Sequence, residues 1–246
     1  MESLLIIGYG KMAEALCMGL KEHYAISVSG RDSKKIEAFC QKFGVLPLRC
    51  KDNRIDISSK QVVLCIKPYA LEAFSYEGCA KGVYSILNAV SVDTLKKKLE
   101  SDGYVRAMPN VCASVSKSVT TLCGDESHKQ KAIEIFSAIG KSVWIEEKNM
   151  PIAAALGGCS PAFLALVAEA MMDCGVAYGL TRVQSKEIVE GLFAGFGELL
   201  QKEHPALLKE SVMSPAGSTS QGVMSLEKNA LRGILQEAIL ASKNFA

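Results

Sequence analysis

Up to Glu146 the chain alternates short apolar runs with segments of helical period. Leu4–Ile7 is an unbroken apolar run, as expected of a strand covered on both faces. From Met12 the period lengthens, and Met12, Leu16 and Leu20 fall four apart on one face of a helix. Ala25–Ser29, Val62–Ile66, Val83–Leu87, Tyr104–Ala107, Val119–Leu122 and Ser142–Ile145 read as further strands. Helices fall between them at Ser33–Phe43, Thr94–Glu100 and Ser127–Ala138. Such alternation predicts an α/β domain over residues 1–148, with a doubly wound, mostly parallel sheet.

After Glu146 the strand-like runs stop. Helices are expected at Pro151–Gly157, Pro161–Tyr178, Arg182–Lys202, Pro205–Ser211 and Thr219–Lys243. Phe163–Ala177 is apolar nearly all round, with Glu169 and Asp173 its only charges, so it needs neighbours on every side. Residues 149–246 can scarcely supply them, and a second copy of the chain is the natural source. They are therefore read as an all-α dimerisation domain. The uncharged stretch Asn149–Ala168 is long enough to raise a membrane helix. Gly157, Gly158, Ser160 and Pro161 in its middle favour a buried helix instead, so no membrane partner is expected.

The turn after the first strand carries the first chemistry. Gly8-Tyr9-Gly10 separates strand from helix, the geometry that holds a dinucleotide pyrophosphate in a Rossmann-type domain. Gly8 allows the tight turn, and Gly10 lets the backbone approach phosphate at the helix start. Ala13 fills the third small position of the pattern. The second strand ends Ser29-Gly30-Arg31-Asp32, with Ser29 where an acid would select NAD. Arg31 can pair a 2′-phosphate, so NADPH is favoured and NADH is the second candidate. Asp32 complicates this, because a small backbone shift would bring it to the ribose.

Charge and cysteine content narrow the classes further. The 28 basic against 26 acidic residues give no basic surface for nucleic acid. The nine cysteines never approach C-x-x-C spacing and the three histidines do not join them, so no metal is expected. The N-terminus lacks signal-peptide character, and most cysteines are expected to pack as small hydrophobes in a reducing cytoplasm.

Longer motifs carry a resemblance over nearly the whole chain. They are Gly8-Tyr9-Gly10-Lys11-Met12-Ala13, Lys67-Pro68, and Arg106-Ala107-Met108-Pro109-Asn110. The most specific is His204-Pro205 through Leu207-Lys209, running into Ser214-Pro215-Ala216-Gly217-Ser218-Thr219 and Leu226-Glu227. The chain resembles the pyrroline-5-carboxylate reductases. That resemblance implies a nicotinamide domain followed by a helical domain that interlocks in a homodimer, with higher assembly open. It implies cofactor contacts at Gly8, Gly10, Lys11, Met12, Ala13, Ser29, Arg31, Asn53, Lys67, Pro68 and Asn110. It places the substrate carboxylate and ring nitrogen at Ser214, Gly217, Ser218 and Thr219. Departures from the family pattern are Gly157-Gly158-Cys159-Ser160-Pro161-Ala162, Ala216 at a usual glycine, and Ala89-Val90-Ser91. Ala216 and Cys159 bear on pocket size rather than reaction type.

Imine reduction needs little acid–base machinery, which suits a helical half with one histidine, His204. Ser214–Thr219 offers hydroxyls and backbone N–H groups at close spacing. If Thr219 opens the next helix, the helix dipole favours a carboxylate there, and its hydroxyl is the expected catalytic donor to the substrate nitrogen. Helix capping by Ser218 or Thr219 is the plainer role of the same residues. Two other classes compete. A β-hydroxyacid dehydrogenase would need a lysine after Gly157-Gly158, and the next lysine is Lys186. A non-catalytic NADPH sensor that dimerises would fit the departures at Ala216 and Cys159.

Overall fold

The computed structural model describes residues 1–50 and 52–244. Two compact units divide it, Met1–Cys159 with the short chain end after Ala241, and Ser160–Ala241. The expected boundary at 148/149 falls earlier, because Glu147–Cys159 clusters with the sheet.

The first unit opens with β1 (Glu2–Ile7), α1 (Lys11–Leu20), β2 (Tyr24–Ser29), α2 (Ser33–Phe43) and β3 (Leu46–Pro47). Then come β4 (Arg54–Asp56), β5 (Gln61–Leu64), a 3-10 helix at Pro68–Ala73, β6 (Ser75–Glu77), β7 (Cys79–Ala80) and β8 (Gly82–Ser85). It continues with α3 (Val92–Lys98), β9 (Glu100–Ser101), β10 (Tyr104–Met108), β11 (Ser118–Gly124), α4 (Lys129–Ser137) and β12 (Gly140–Trp144). Eight strands form one sheet in the order β12-β11-β10-β8-β5-β1-β2-β3. Every neighbouring pair is parallel except β10 with β11. The chain runs outward one way through β1, β2 and β3, then returns beside β1 at β5 and runs outward the other way.

Side-chain alternation on β1 explains its apolar run. Leu4 and Ile6 enter the core under α1, α2 and α4, while Leu5 and Ile7 enter the core on the opposite face. Turn chemistry fixes α2: the Asp32 carboxylate accepts the Lys35 N–H (3.1 Å), and Gly44 closes the helix at φ +69°. The short pairs β4–β6 and β7–β9 escaped the hydrophobic pattern, because two or three residues carry no period. Expected α3 residues also shift: Ser91 caps the helix early, and Glu100 is already extended. All nine cysteines are free, but Cys79 and Cys174 are exposed and only Cys17, Cys40 and Cys123 are buried. Cys65 and Cys50 also pack against the two apolar cores, so five of the nine pack as small hydrophobes, as expected.

The expected helix Pro151–Gly157 is instead α5 (Met150–Ala153) followed by a π-helical stretch, Ala154–Cys159. Proline has no N–H, so Pro161 cannot satisfy the carbonyl of Gly157 four residues back. The Asn110 side-chain amide donates to that carbonyl instead, at 2.9 Å.

The second unit contains α6 (Ser160–Ala177), α7 (Arg182–Leu200), α8 (Pro205–Ser211), α9 (Ser218–Lys228) and α10 (Leu231–Lys243), whose last turn belongs to the chain end. The single expected helix Thr219–Lys243 is two, broken at Ala230, which sits at φ +56°. α6 packs on α7 where Gly175 faces Ser185, and the Ser185 hydroxyl donates to the Met172 carbonyl (2.7 Å). No residue of α6 is buried, and Leu164 and Leu166 are exposed.

Candidate active site

The crevice of the first unit opens where strand order reverses, between the carboxyl ends of β1 and β5. A cavity of about 650 Å³ lies there, lined by Gly8–Met12, Gly30, Arg31, Cys65–Ala70, Phe74 and Ile86–Asn88. Gly8 holds φ +124°, and its N–H donates to the Ser29 carbonyl (2.8 Å). A Cβ on Gly8 would stand 2.4 Å from the Cys65 carbonyl oxygen, so glycine alone lets β1 and β5 close at this point. Gly10 is the N-cap of α1 with no side-chain cap, and a Cβ there would meet nothing within 4 Å. The first-turn N–H groups of α1 thus face open space, a site for an anion.

Among the expected cofactor residues, Gly8, Gly10, Lys11, Met12, Arg31, Lys67 and Pro68 share this cavity. Lys67 caps the 3-10 helix, its carbonyl accepting the Ala70 N–H (2.8 Å), and Pro68 is the first helical residue. Ala13 lies fully buried under the sheet and acts through packing. Ser29 is also fully buried, and its hydroxyl has no hydrogen-bond partner. Asn53 lines neither this cavity nor its neighbour. It sits at φ +59° before β4, and its carbonyl accepts the Ser75 N–H (2.8 Å). Asn110 is likewise engaged elsewhere, its amide on Gly157 and its side-chain oxygen accepting the Cys112 N–H (3.1 Å).

A second cavity, about 280 Å³, adjoins the first through Gly30 and Arg31, and Ser33, Glu37, Leu48 and Arg49 also line it. Asp32 does not compete there. Its carboxylate is committed to the Lys35 N–H and paired with the Lys35 ammonium (3.6 Å), which hold its carboxyl below the usual carboxylate range. With no free acid ending β2 and a cation beside it, the residues present fit a dinucleotide carrying a 2′-phosphate. Pattern reading missed Tyr69, Ile86, Leu87 and Asn88 as lining residues. The rule that ligands sit beyond the carboxyl ends of parallel strands would have found the last three, after β8. Among the described residues no group of three or more His, Cys, Asp or Glu side chains is arranged for a metal.

In the second unit, Ser214–Gly217 forms a tight turn closed by the Gly217 N–H on the Ser214 carbonyl (3.0 Å). A Cβ on Gly217 would lie 2.2 Å from the Ser214 hydroxyl oxygen. Ala216 adopts φ +57°, a left-handed conformation at a position where glycine would be unstrained. Gly217, not Ser218 or Thr219, is the N-cap of α9, and it makes no side-chain cap. Both hydroxyl residues are exposed in the first turn, so the capping role falls away and the first-turn N–H groups stay uncapped. Lys186, the first lysine after Gly157-Gly158, is on α7 and paired with Glu190 (3.6 Å), and Cys159, Ser160 and Pro161 stand directly after the glycine pair.

Residues 147–246 match the family model described as pyrroline-5-carboxylate reductase dimerisation. Residues 3–89 match one described as NADP oxidoreductase, coenzyme F420-dependent. The pyrroline-5-carboxylate reductase of Helicobacter pylori strain J99 is 35% identical over 97% of this chain and 96% of that protein. The chain belongs to the pyrroline-5-carboxylate reductase family. The reductase of Thermus thermophilus is 30% identical over 97% of this chain and 95% of its own length. Among solved structures, the pyrroline-5-carboxylate reductase of Coxiella burnetii superposes with TM-score 0.85 at 28% identity, covering 98% and 96% of the two chains. The Plasmodium falciparum pyrroline carboxylate reductase, solved with NADP bound, gives 0.78 at 25% identity over 99% and 96%. The family likeness therefore spans both units, and the match to the F420-type model stays within the first.

Proposed function

We propose that the chain reduces the C=N bond of 1-pyrroline-5-carboxylate to give L-proline, with NADPH as donor. The observation that carries this reading is coverage. Relatives bearing that name align over both the nucleotide-binding and the helical parts, not over a shared Rossmann module alone. Residues 1–148 serve as the nucleotide-binding domain and residues 149–246 as the dimerisation and substrate-binding domain. The working form is a cytoplasmic homodimer joined through α6 and its neighbours, and higher assembly is compatible with it. Neither nucleic acid nor membrane is a partner.

NADPH, when bound, supplies the hydride to the imine carbon. The uncapped N–H groups of Lys11, Met12 and Ala13 receive the pyrophosphate, with the α1 dipole favouring its charge. Arg31 takes the 2′-phosphate through its planar guanidinium. Lys67 and Pro68 border the nicotinamide ribose. Ser214, Gly217 and Ser218 hold the substrate carboxylate at the start of α9, where backbone donors are left without a cap. Thr219 Oγ1 donates a hydrogen bond to the ring nitrogen and polarises the C=N bond, and solvent water supplies the proton that the nitrogen takes up, so the hydroxyl keeps its own.

The test is NADPH consumption with 1-pyrroline-5-carboxylate by the wild type, Thr219→Ser and Thr219→Val. Thr219→Val is expected to lower kcat about 100-fold with NADPH affinity unchanged, and Thr219→Ser to recover most of it. Full activity in Thr219→Val would remove Thr219 from the chemistry. Tight NADPH binding with no turnover by the wild type would overturn the reductase reading in favour of a sensor.

A further inference from the structure

The small cavity beside Arg31 contains a second guanidinium that the reading above leaves unused. Arg49 lines it together with Gly30, Arg31, Ser33 and Glu37. Sheet register places Arg49 there. β2 and β3 are parallel with Val28 opposite Pro47, and the Leu48 N–H donates to the Val28 carbonyl (2.8 Å). The chain after β3 therefore leaves the sheet beside the chain after β2, one strand spacing away. Arg31 and Arg49 project from these two adjacent exits at the carboxyl edge.

Arg31 and Arg49 are both exposed, and among the described residues neither has an ion-pair partner. Of the two lysines that follow Ser33, Lys35 is paired with Asp32, while Lys34 has no carboxylate within ion-pair distance among the described residues. Glu37 is the one acid lining the cavity, and Asp32 at its margin is neutralised by Lys35. Two cations against one acid leave a net positive pocket. A phosphate monoester near neutral pH carries a charge of about −1.5 to −2, more than one guanidinium balances.

Resting on the reading that Arg31 meets the 2′-phosphate, we infer that Arg49 is the second half of a two-arginine clamp that sets the preference for NADPH over NADH. Arg31 approaches from the β2 side and Arg49 from the β3 side, so the phosphate bridges two loops. Neither arginine touches the reacting atoms, and both act on cofactor choice.

The experiment is calorimetric titration of the full-length protein with 2′,5′-ADP and with 5′-AMP, for wild type, Arg31→Gln, Arg49→Gln and Arg49→Lys. Arg49→Gln is expected to weaken 2′,5′-ADP binding about tenfold and to leave 5′-AMP binding within about twofold. Arg49→Lys should fall between, because it keeps charge without the planar fork. Equal weakening of both probes by Arg49→Gln would assign it to the adenosine or to loop structure, and no weakening would remove it from the site. Either overturns the clamp. If Arg31→Gln alone reduces the 2′,5′-ADP to 5′-AMP ratio, only the inference about Arg49 fails. If neither variant changes that ratio, the reading of Arg31 fails as well. Among the described residues Arg49 makes no intramolecular hydrogen bond or ion pair, so its variants are expected to fold, and their thermal midpoints check this.

Discussion

Gly8 holds a backbone angle of φ +124° with a carbonyl where its Cβ would be. Both facts press in one direction, and Gly8→Ala is expected to destabilise the protein by about 3 kcal/mol. A urea titration would register this as an earlier midpoint, and NADPH affinity should fall with it, because the same residue shapes the phosphate turn. An unchanged midpoint would mean that β5 yields freely at Cys65. Gly10 is a different kind of glycine. Its angles suit any residue, and only the open space in front of it is special. The G-x-G spacing marks both positions and cannot tell them apart. Asn110 makes the same point from the other side. A motif put it with the cofactor, yet its amide spans to the carbonyl that Pro161 leaves without a donor. That bond depends on residues far apart in sequence, which no local pattern encodes.

Elements with a long period were legible. β1, β2 and α2 fall close to where the apolar spacing put them, because each buries a continuous face, and α7 falls there as well although only Ser185 and Val189 of it are buried. Elements held by other means were not. The π-helical stretch Ala154–Cys159 and the break at Ala230 follow from backbone hydrogen bonding and from packing that periodicity does not report. Beyond the amino ends of the strands lies a polar cluster that was equally invisible. Lys131 bridges Glu2 (2.9 Å) and Glu134 (2.9 Å), Gln61 donates to Glu2 (2.8 Å), and the Tyr24 hydroxyl donates to Glu134. Hydrogen bonds from Lys131 and Gln61 lower the Glu2 carboxyl below 4.5, and those from Tyr24 and Lys131 lower Glu134. Carboxylates held low stabilise the fold fully above their unfolded values, and the contribution disappears as pH falls through the lowered ones. Glu2→Gln should therefore cost about 1 kcal/mol near neutral pH, after allowance for partial exposure, and almost nothing well below pH 4.5. Denaturation at the two pH values checks this, and an equal loss at both would mean that packing, not charge, holds the cluster.

At the scale of the whole molecule, the apolar surface of α6 is the outstanding debt of the single chain. Helical sequence from Glu147 to Ala177 is long and apolar enough to cross a membrane by length and composition alone. The dimerisation model that matches residues 147–246 supports a partner subunit as the cover instead. Leu166, 65% exposed, gives a clean probe. Leu166→Glu should leave the fold of each chain intact and turn a detergent-free dimer into a monomer on size-exclusion chromatography with light scattering. A dimer that survives the change would move the interface to another face. The order of the sheet also bears on how the protein is made. β1 lies inside the sheet, between β5 and β2, yet leaves the ribosome before both of its neighbours. It gains β2 on one edge soon after, but its other edge stays open until β5 has been translated. For that interval Leu4–Ile7 is an apolar strand with a free row of backbone donors and acceptors, the form most prone to pair with another nascent chain. The hazard of misassembly is concentrated in β1, and ends when β5 docks.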